Sequence, residues 1–188
     1  MFPTLFLGGW TLVAQTLVRS SNFSRPRIGS GKLKDISRYA SGEVRVHVDA
    51  LLRLQRLIKF TQLRFFCHQK STGRIFHIMT KRNPAGKAAV HYLIESPQRR
   101  PPACGSFEAL PDDNSMLAAN CVKWGNNGGC SECNKWGDAD NPYGYRLYNN
   151  PVFWKGKSYV NFLPKLLACD GSKNAPLSKG DIWQLFVR

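Results

Sequence analysis

Six cysteines, four histidines and one short acidic cluster are the side chains of this 188-residue sequence whose type and spacing could do specific chemistry. The cysteines are Cys67, Cys104, Cys121, Cys130, Cys133 and Cys169, an even number at irregular spacing. In an oxidising compartment that pattern reads as disulfides, and six thiols allow fifteen full pairings among which spacing does not choose. Zinc is the rival reading. Cys130-Ser131-Glu132-Cys133 makes one knuckle, but no second closely spaced Cys/His pair completes a tetrahedral set, and Cys104 and Cys121 stand at awkward spacing for it. A dithiol redox centre needs a strand before the pair and a helix after it, whereas this pair sits in a run of Gly, Asn and Ser. Asp138-Ala139-Asp140-Asn141 places hard oxygen ligands at alternate positions, as a calcium loop does. An EF-hand would continue with Gly at 143 and Glu at 149, where this chain has Tyr143 and Asn149. Asp138 and Asp140 are therefore candidate metal ligands of some other loop, with calcium the candidate cofactor and a plain polar turn the alternative.

Catalytic constellations are not legible. Gly29-Ser30-Gly31-Lys32 is similar to the end of a phosphate-binding loop, yet Pro26 stands where the first Gly belongs and Leu33 where a magnesium-binding hydroxyl belongs. There is no Gly-x-Ser-x-Gly elbow and no His-Glu-x-x-His. His47, His68, His77 and His91 occur singly, in strand or turn contexts where a histidine is usually packed or solvated. The chain reads as a non-enzyme.

Charge is the other strong signal. Lys and Arg number 27 against 12 Asp and Glu, a net charge of +15. Residues 1–94 carry 16 basic and 3 acidic side chains (Asp35, Glu43 and Asp49), so nearly all the excess lies in the first half. An aromatic content of 12% excludes a disordered polyelectrolyte, which lacks core-forming residues. No stretch supplies the ~20 apolar residues of a membrane-spanning helix. The asymmetry implies an anionic partner such as an acidic matrix polymer or glycan, with nucleic acid not expected outside a cell, or else a merely solubilising surface. Arg45, Arg53, Arg56, Lys59 and Arg64 are the candidate polyanion contacts. Asn22-Phe23-Ser24 is the single glycosylation sequon, in a Ser/Gly/Arg loop.

These residues need elements to hold them. Trp10 to Val18 is β-branched and reads as a strand. Leu33 to Ala40 suits a short helix stopped by Gly42. Residues 43–48 alternate, with Val44, Val46 and Val48 inward and Arg45 and His47 outward. The segment 49–60 is ambiguous: Leu51, Leu54 and Ile58 share a helical face, Arg53, Arg56 and Lys59 fall outside it, and Asp49 could cap such a helix. Residues 63–67, 74–80 and 87–95 read as strands, the last two joined by a turn at Asn83-Pro84-Ala85-Gly86. Residues 158–167 and 181–187 would close the fold. Between them, 124–151 is rich in Gly and Asn, which tolerate positive φ, and calls for disulfides to hold it. Trp124, Trp136, Tyr143, Tyr145, Tyr148 and Trp154 crowd this region. Rings beside amides and carboxylates pack cores and also line sugar pockets.

Gly8-Gly9-Trp10-Thr11-Leu12-Val13 resembles the opening strand of fibrinogen C-terminal-like domains. Further pieces follow in order: Gly31-Lys32-Leu33, Val44-Arg45-Val46, Arg64-Phe65-Phe66-Cys67, Leu147-Tyr148, Cys169-Asp170-Gly171 and Leu177-Ser178-Lys179-Gly180-Asp181-Ile182-Trp183. They span nearly the whole chain and are most similar to the cnidarian branch, in particular to proteins of the stony-coral skeletal organic matrix. The resemblance implies one α+β domain over 1–188, with a mixed antiparallel sheet, short helices and a loop-rich, disulfide-pinned C-terminal half. It implies a secreted glycoprotein of an extracellular or skeletal matrix that recognises glycans or matrix ligands and catalyses nothing. Many such relatives are calcium-assisted lectins. Asp138 and Asp140 do not match the family's calcium loop cleanly, and the Trp-Trp segment near its ligand pocket has no counterpart, so no sugar-contacting residue carries over. The cysteine usually found before Gly-Gly-Trp is absent, which leads us to expect a fragment with signal sequence and modules upstream.

Overall fold

The computed structural model describes residues 9–20, 32–34, 36, 43–95, 99–125, 130–141, 144–163 and 166–188. Asn22, Gly42 and most of the expected helix from Leu33 to Ala40 lie outside them. The chain is mixed α+β with antiparallel sheets. β1 (Thr11–Leu17), β2 (Glu43–Arg45), β3 (Leu63–Gln69), β4 (Arg74–Thr80), β5 (Phe107–Ala109) and β9 (Ile182–Val187) form a six-stranded sheet in the order β2-β1-β9-β3-β4-β5. The last strand thus lies between the first and third, with Gln15 opposite Gln184 and Phe65 opposite Leu185. β6 (Val152–Trp154), β7 (Ser158–Asn161) and β8 (Ala168–Gly171) form a second, three-stranded sheet. The helices are α1 (Val48–Ile58), α2 (Pro84–Glu95) and the single turn α3 (Met116–Ala119).

Period-two alternation builds the large sheet. Leu63, Phe65 and Cys67 of β3 and Trp183, Leu185 and Val187 of β9 point into one core, whereas Arg64, Phe66 and Gln184 point away from it. The core joins that face to α1, α2 and the loop-rich half in one cluster that includes Leu51, Leu93, Trp124, Trp136 and Phe162. Cys67–Cys169 ties β3 to β8, and so one sheet to the other, while Cys104–Cys121 closes a short loop before and after α3. Among the described residues no helix is long and apolar enough to cross a membrane.

Three expectations are corrected. Residues 87–95 are helical. Asn83 and Pro84 are a helix start: the Asn83 side chain accepts from the Gly86 N–H at 2.8 Å, and Pro at the first helical position loses no bond. Gly86 is needed because the turn rests on Lys81, whose carbonyl oxygen lies 2.0 Å from where a Cβ would sit. The helix has one solvent face, with Lys87, Ala88, His91 and Glu95 exposed at helical spacing, and buries Ala89, Val90, Tyr92, Leu93 and Ile94 on the other. Second, the strand at 43–48 stops at Arg45. His47 is the N-cap of α1, its ring accepting from the Asp49 N–H at 3.3 Å, and Asp49 sits in the first turn. Third, Ile58 is 50% exposed. Lys59 adopts the left-handed conformation at φ 53°, the chain reverses, and Phe60 takes the buried place instead.

Candidate functional site

The C-terminal half of α1 leaves the protein surface. Arg53, Arg56, Leu57, Ile58 and Lys59 are all exposed, Leu57 to 68%. Successive three-residue steps put Arg53, Arg56 and Lys59 about one helical turn apart along the helix. None of the three makes an ion pair with a described residue. Asp49, at the other end, is the one acidic side chain of the helix. The result is a short cationic ridge, with two apolar side chains beside it, whose charges are free to meet a polyanion.

Arg45 and Arg64 do not join that ridge. Arg45 is 3% exposed: its guanidinium bonds the Thr16 hydroxyl at 3.3 Å and lies 5.8 Å from the Tyr148 ring centre. Tyr148 in turn donates its hydroxyl to the Val46 carbonyl, and burial pushes its phenol far above the ordinary range. So the face of β2 that alternation assigns to solvent is roofed by the loop-rich half. Arg64 is half-buried on the outer face of β3, over Phe186 at 5.2 Å, and burial lowers its pKa.

The Arg64 Nε donates to His77 Nε2 at 2.8 Å, and His77 Nδ1 meets the Asp112 carboxylate at 2.5 Å. These partners fix a neutral imidazole with its proton on Nδ1. A His–Asp pair is a familiar base, but here the basic nitrogen already accepts from an arginine. Burial, the largest influence, lowers the His77 pKa against the opposing hydrogen bond to Asp112. The arrangement locks β3 and β4 to the loop that follows β5 and presents no open basic atom.

In the acidic turn the Asp138 carboxylate accepts from the Asp140 N–H at 3.2 Å, an Asx turn, while Asp140 itself is exposed. Among the described residues no group of three or more His, Cys, Asp or Glu side chains could hold a metal. The crowded aromatics are mostly core. Trp124 and Trp136 are fully buried, 5.1 Å apart edge to face, and Phe107 stacks on Trp124 at 4.7 Å. Their indole N–H groups are spent on the Leu117 carbonyl and the Ser106 hydroxyl, both at 2.7 Å. Tyr145 is exposed and Trp154 half-buried, while Tyr143 lies outside the described residues. Of the cysteines, four are paired as above, Cys133 is half-buried, and the Cys130 side chain lies outside the description.

A feature that sequence reading missed lies in the loop-rich half. A cavity of about 340 Å³ is lined by Tyr92, Arg99, Arg100, Ser131, Glu132, Lys135, Ala139 and Arg146. Arg100 is buried, donates to the Gly137 carbonyl at 2.8 Å and pairs with Glu132. Arg146 lies over the Tyr92 ring at 4.7 Å. Three separate segments supply the cations Arg99 and Arg100, Lys135 and Arg146, so no local run of charge in the sequence marks them.

Compared with protein-family models, with curated proteins and with solved structures, the chain finds no match.

Proposed function

We propose that this chain is a secreted, non-catalytic recognition or structural domain of fibrinogen C-terminal-like architecture, working in an extracellular or skeletal organic matrix and binding acidic matrix polymers. The observation that carries the ligand class is the α1 ridge, where Arg53, Arg56 and Lys59 stand exposed without a carboxylate partner among the described residues. Long-range attraction to a polyanion needs such unrelieved like charge, and salt screens it over ~8–10 Å. The compartment is supported by the two disulfides, because thiols stay reduced in most cytosols. A sulfated or otherwise acidic polymer is favoured over a neutral sugar because Trp124, Trp136 and Tyr148, the rings best suited to stacking, are committed to the core. The architecture is supported by the ordered sequence pieces and by an antiparallel sheet that opens just after Trp10 and closes with the strand holding Trp183.

Heparin chromatography with a salt gradient tests this reading. Arg53→Ala, Arg56→Ala and Lys59→Ala together remove three exposed contacts worth up to about 1 kcal/mol each, so affinity should fall about tenfold or more. The melting temperature should stay unchanged, since none of the three packs on the core. Retention equal to that of the wild type, or retention indifferent to salt, refutes the α1 ridge as the binding surface.

A further inference from the structure

The cavity beside Tyr92 has a one-sided chemistry. Four cations line it, Arg99, Arg100, Lys135 and Arg146, against one carboxylate, Glu132, which is already paired with Arg100. Asp138, on the neighbouring turn, acts on the Tyr92 phenol, and even with it included the cations outnumber the carboxylates. Arg99 is exposed and Lys135 half-buried, and neither cationic head makes a hydrogen bond or ion pair with a described residue.

Tyr92 adds a second, independent observation. It is 1% exposed, and its hydroxyl is covered yet has no hydrogen-bond partner among the described residues. A buried phenol normally finds one, and leaving it unmet costs on the order of 1–3 kcal/mol. Burial holds its pKa above the ordinary 10, so the group remains a donor. Its position is enforced: Gly137, at φ +65°, lies so close that an added Cβ would sit 2.7 Å from the ring and 3.0 Å from the hydroxyl. The chain thus presses an unsatisfied donor against a wall made almost wholly of donors.

A donor-rich, cationic wall is complemented by a ligand with acceptors only. Guanidinium forks match the spacing of tetrahedral oxyanions, and an ammonium adds a point charge. The volume exceeds that of a bare ion and lies in the range of small-molecule sites. We propose that this cavity binds the sulfate or phosphate monoester group of a sugar-sized ligand, with Arg99 and Lys135 around the oxyanion, the Tyr92 hydroxyl as the neutral donor, and Arg100–Glu132 together with Arg146, whose Nε donates to the Asn141 carbonyl at 3.4 Å, as the fixed frame. The site is separate from the α1 ridge and does not depend on it.

Isothermal titration of the whole chain with glucose 6-sulfate, glucose 6-phosphate and glucose tests the proposal. Either ester should bind, glucose should not, and the tighter ester identifies the source of the oxyanion. Arg99→Ala with Lys135→Ala should weaken the ester at least tenfold at unchanged melting temperature. Tyr92→Phe should weaken it severalfold while leaving the fold as stable as before or more so, because the orphan hydroxyl is gone. The α1 triple variant should bind the ester as the wild type does, which separates failure here from failure of the heparin experiment. Esters that bind no better than glucose, a double variant that binds like the wild type, or loss of ester binding in the α1 variant each overturn the assignment.

Discussion

The two disulfides should contribute unequally to stability, and the structure sets the ratio. Cys67–Cys169 closes a loop of 102 positions and Cys104–Cys121 one of 17. In the chain-entropy description a cross-link removes about 2.1 + 1.5R ln n cal/mol/K from the unfolded chain. That gives about 4.7 kcal/mol at room temperature for the long loop and about 3.1 for the short one. Cys67 and Cys169 are also fully buried, so replacing both by Ala leaves a gap worth about 1 kcal/mol more. Cys67→Ala with Cys169→Ala should therefore cost about 5–6 kcal/mol, a large share of an ordinary folding margin. Cys104→Ala with Cys121→Ala should cost about 3 kcal/mol, with the other bridge intact. Urea unfolding followed by tryptophan fluorescence measures both, and Trp183 is a built-in reporter, its indole bonded to the Ala168 carbonyl next to Cys169. Mild reduction of the native protein should open Cys104–Cys121 first, because those sulfurs are half-buried while the other pair is enclosed. Equal losses for the two double variants, or a larger loss from the short loop, would refute the reasoning, as would earlier reduction of Cys67–Cys169.

Two further predictions concern buried polar groups. His77 is held neutral, with its folded pKa below the ordinary 6.5, so above that pH neither folded nor unfolded chain binds the proton. As pH falls below 6.5 the unfolded chain takes it up first, and stability drops until the folded value is passed; urea midpoints from pH 8 to 5 should fall more steeply for the wild type than for His77→Gln, and parallel slopes would count against the lock. Asp170 accepts from the Met116 and Leu117 N–H groups at 2.6 and 3.0 Å and from the Ser158 hydroxyl at 3.0 Å, which together anchor α3 to the small sheet. Asp170→Ala strands all three donors and places Ala at φ 49°, so it should cost about 3–5 kcal/mol. Asp170→Asn keeps an acceptor and tolerates that φ, so its loss should be clearly smaller, and an equal loss for both would argue that the charge rather than the acceptors matters.

Sequence alone determined what period and local chemistry could carry. β1, β3, β4 and β9 are legible as strands, β3 and β9 because each alternates against a single core face and β1 through its β-branched residues, and Leu51 and Leu54 mark a helical face of α1. The exposed ridge of Arg53, Arg56 and Lys59 was within reach for the same reason. α2 reads locally as a strand through its apolar run, yet its exposed Lys87, His91 and Glu95 recur every four residues, and Asn83-Pro84 marks its start. Local pattern failed where a second layer intervened. Arg45 looked solvent-facing because alternation says which side of a strand a residue takes, not what lies on that side; Tyr148, about a hundred positions later, roofs it. The same holds for the cysteines, whose even count suggested bridges while only the packing of β3 on β8 brought Cys67 to Cys169. The cavity was decided by tertiary structure entirely. Tyr92, Arg99, Lys135 and Arg146 come from segments that loop closure brings together, and a sequence records the charge of each residue but not the distance between residues far apart along the chain.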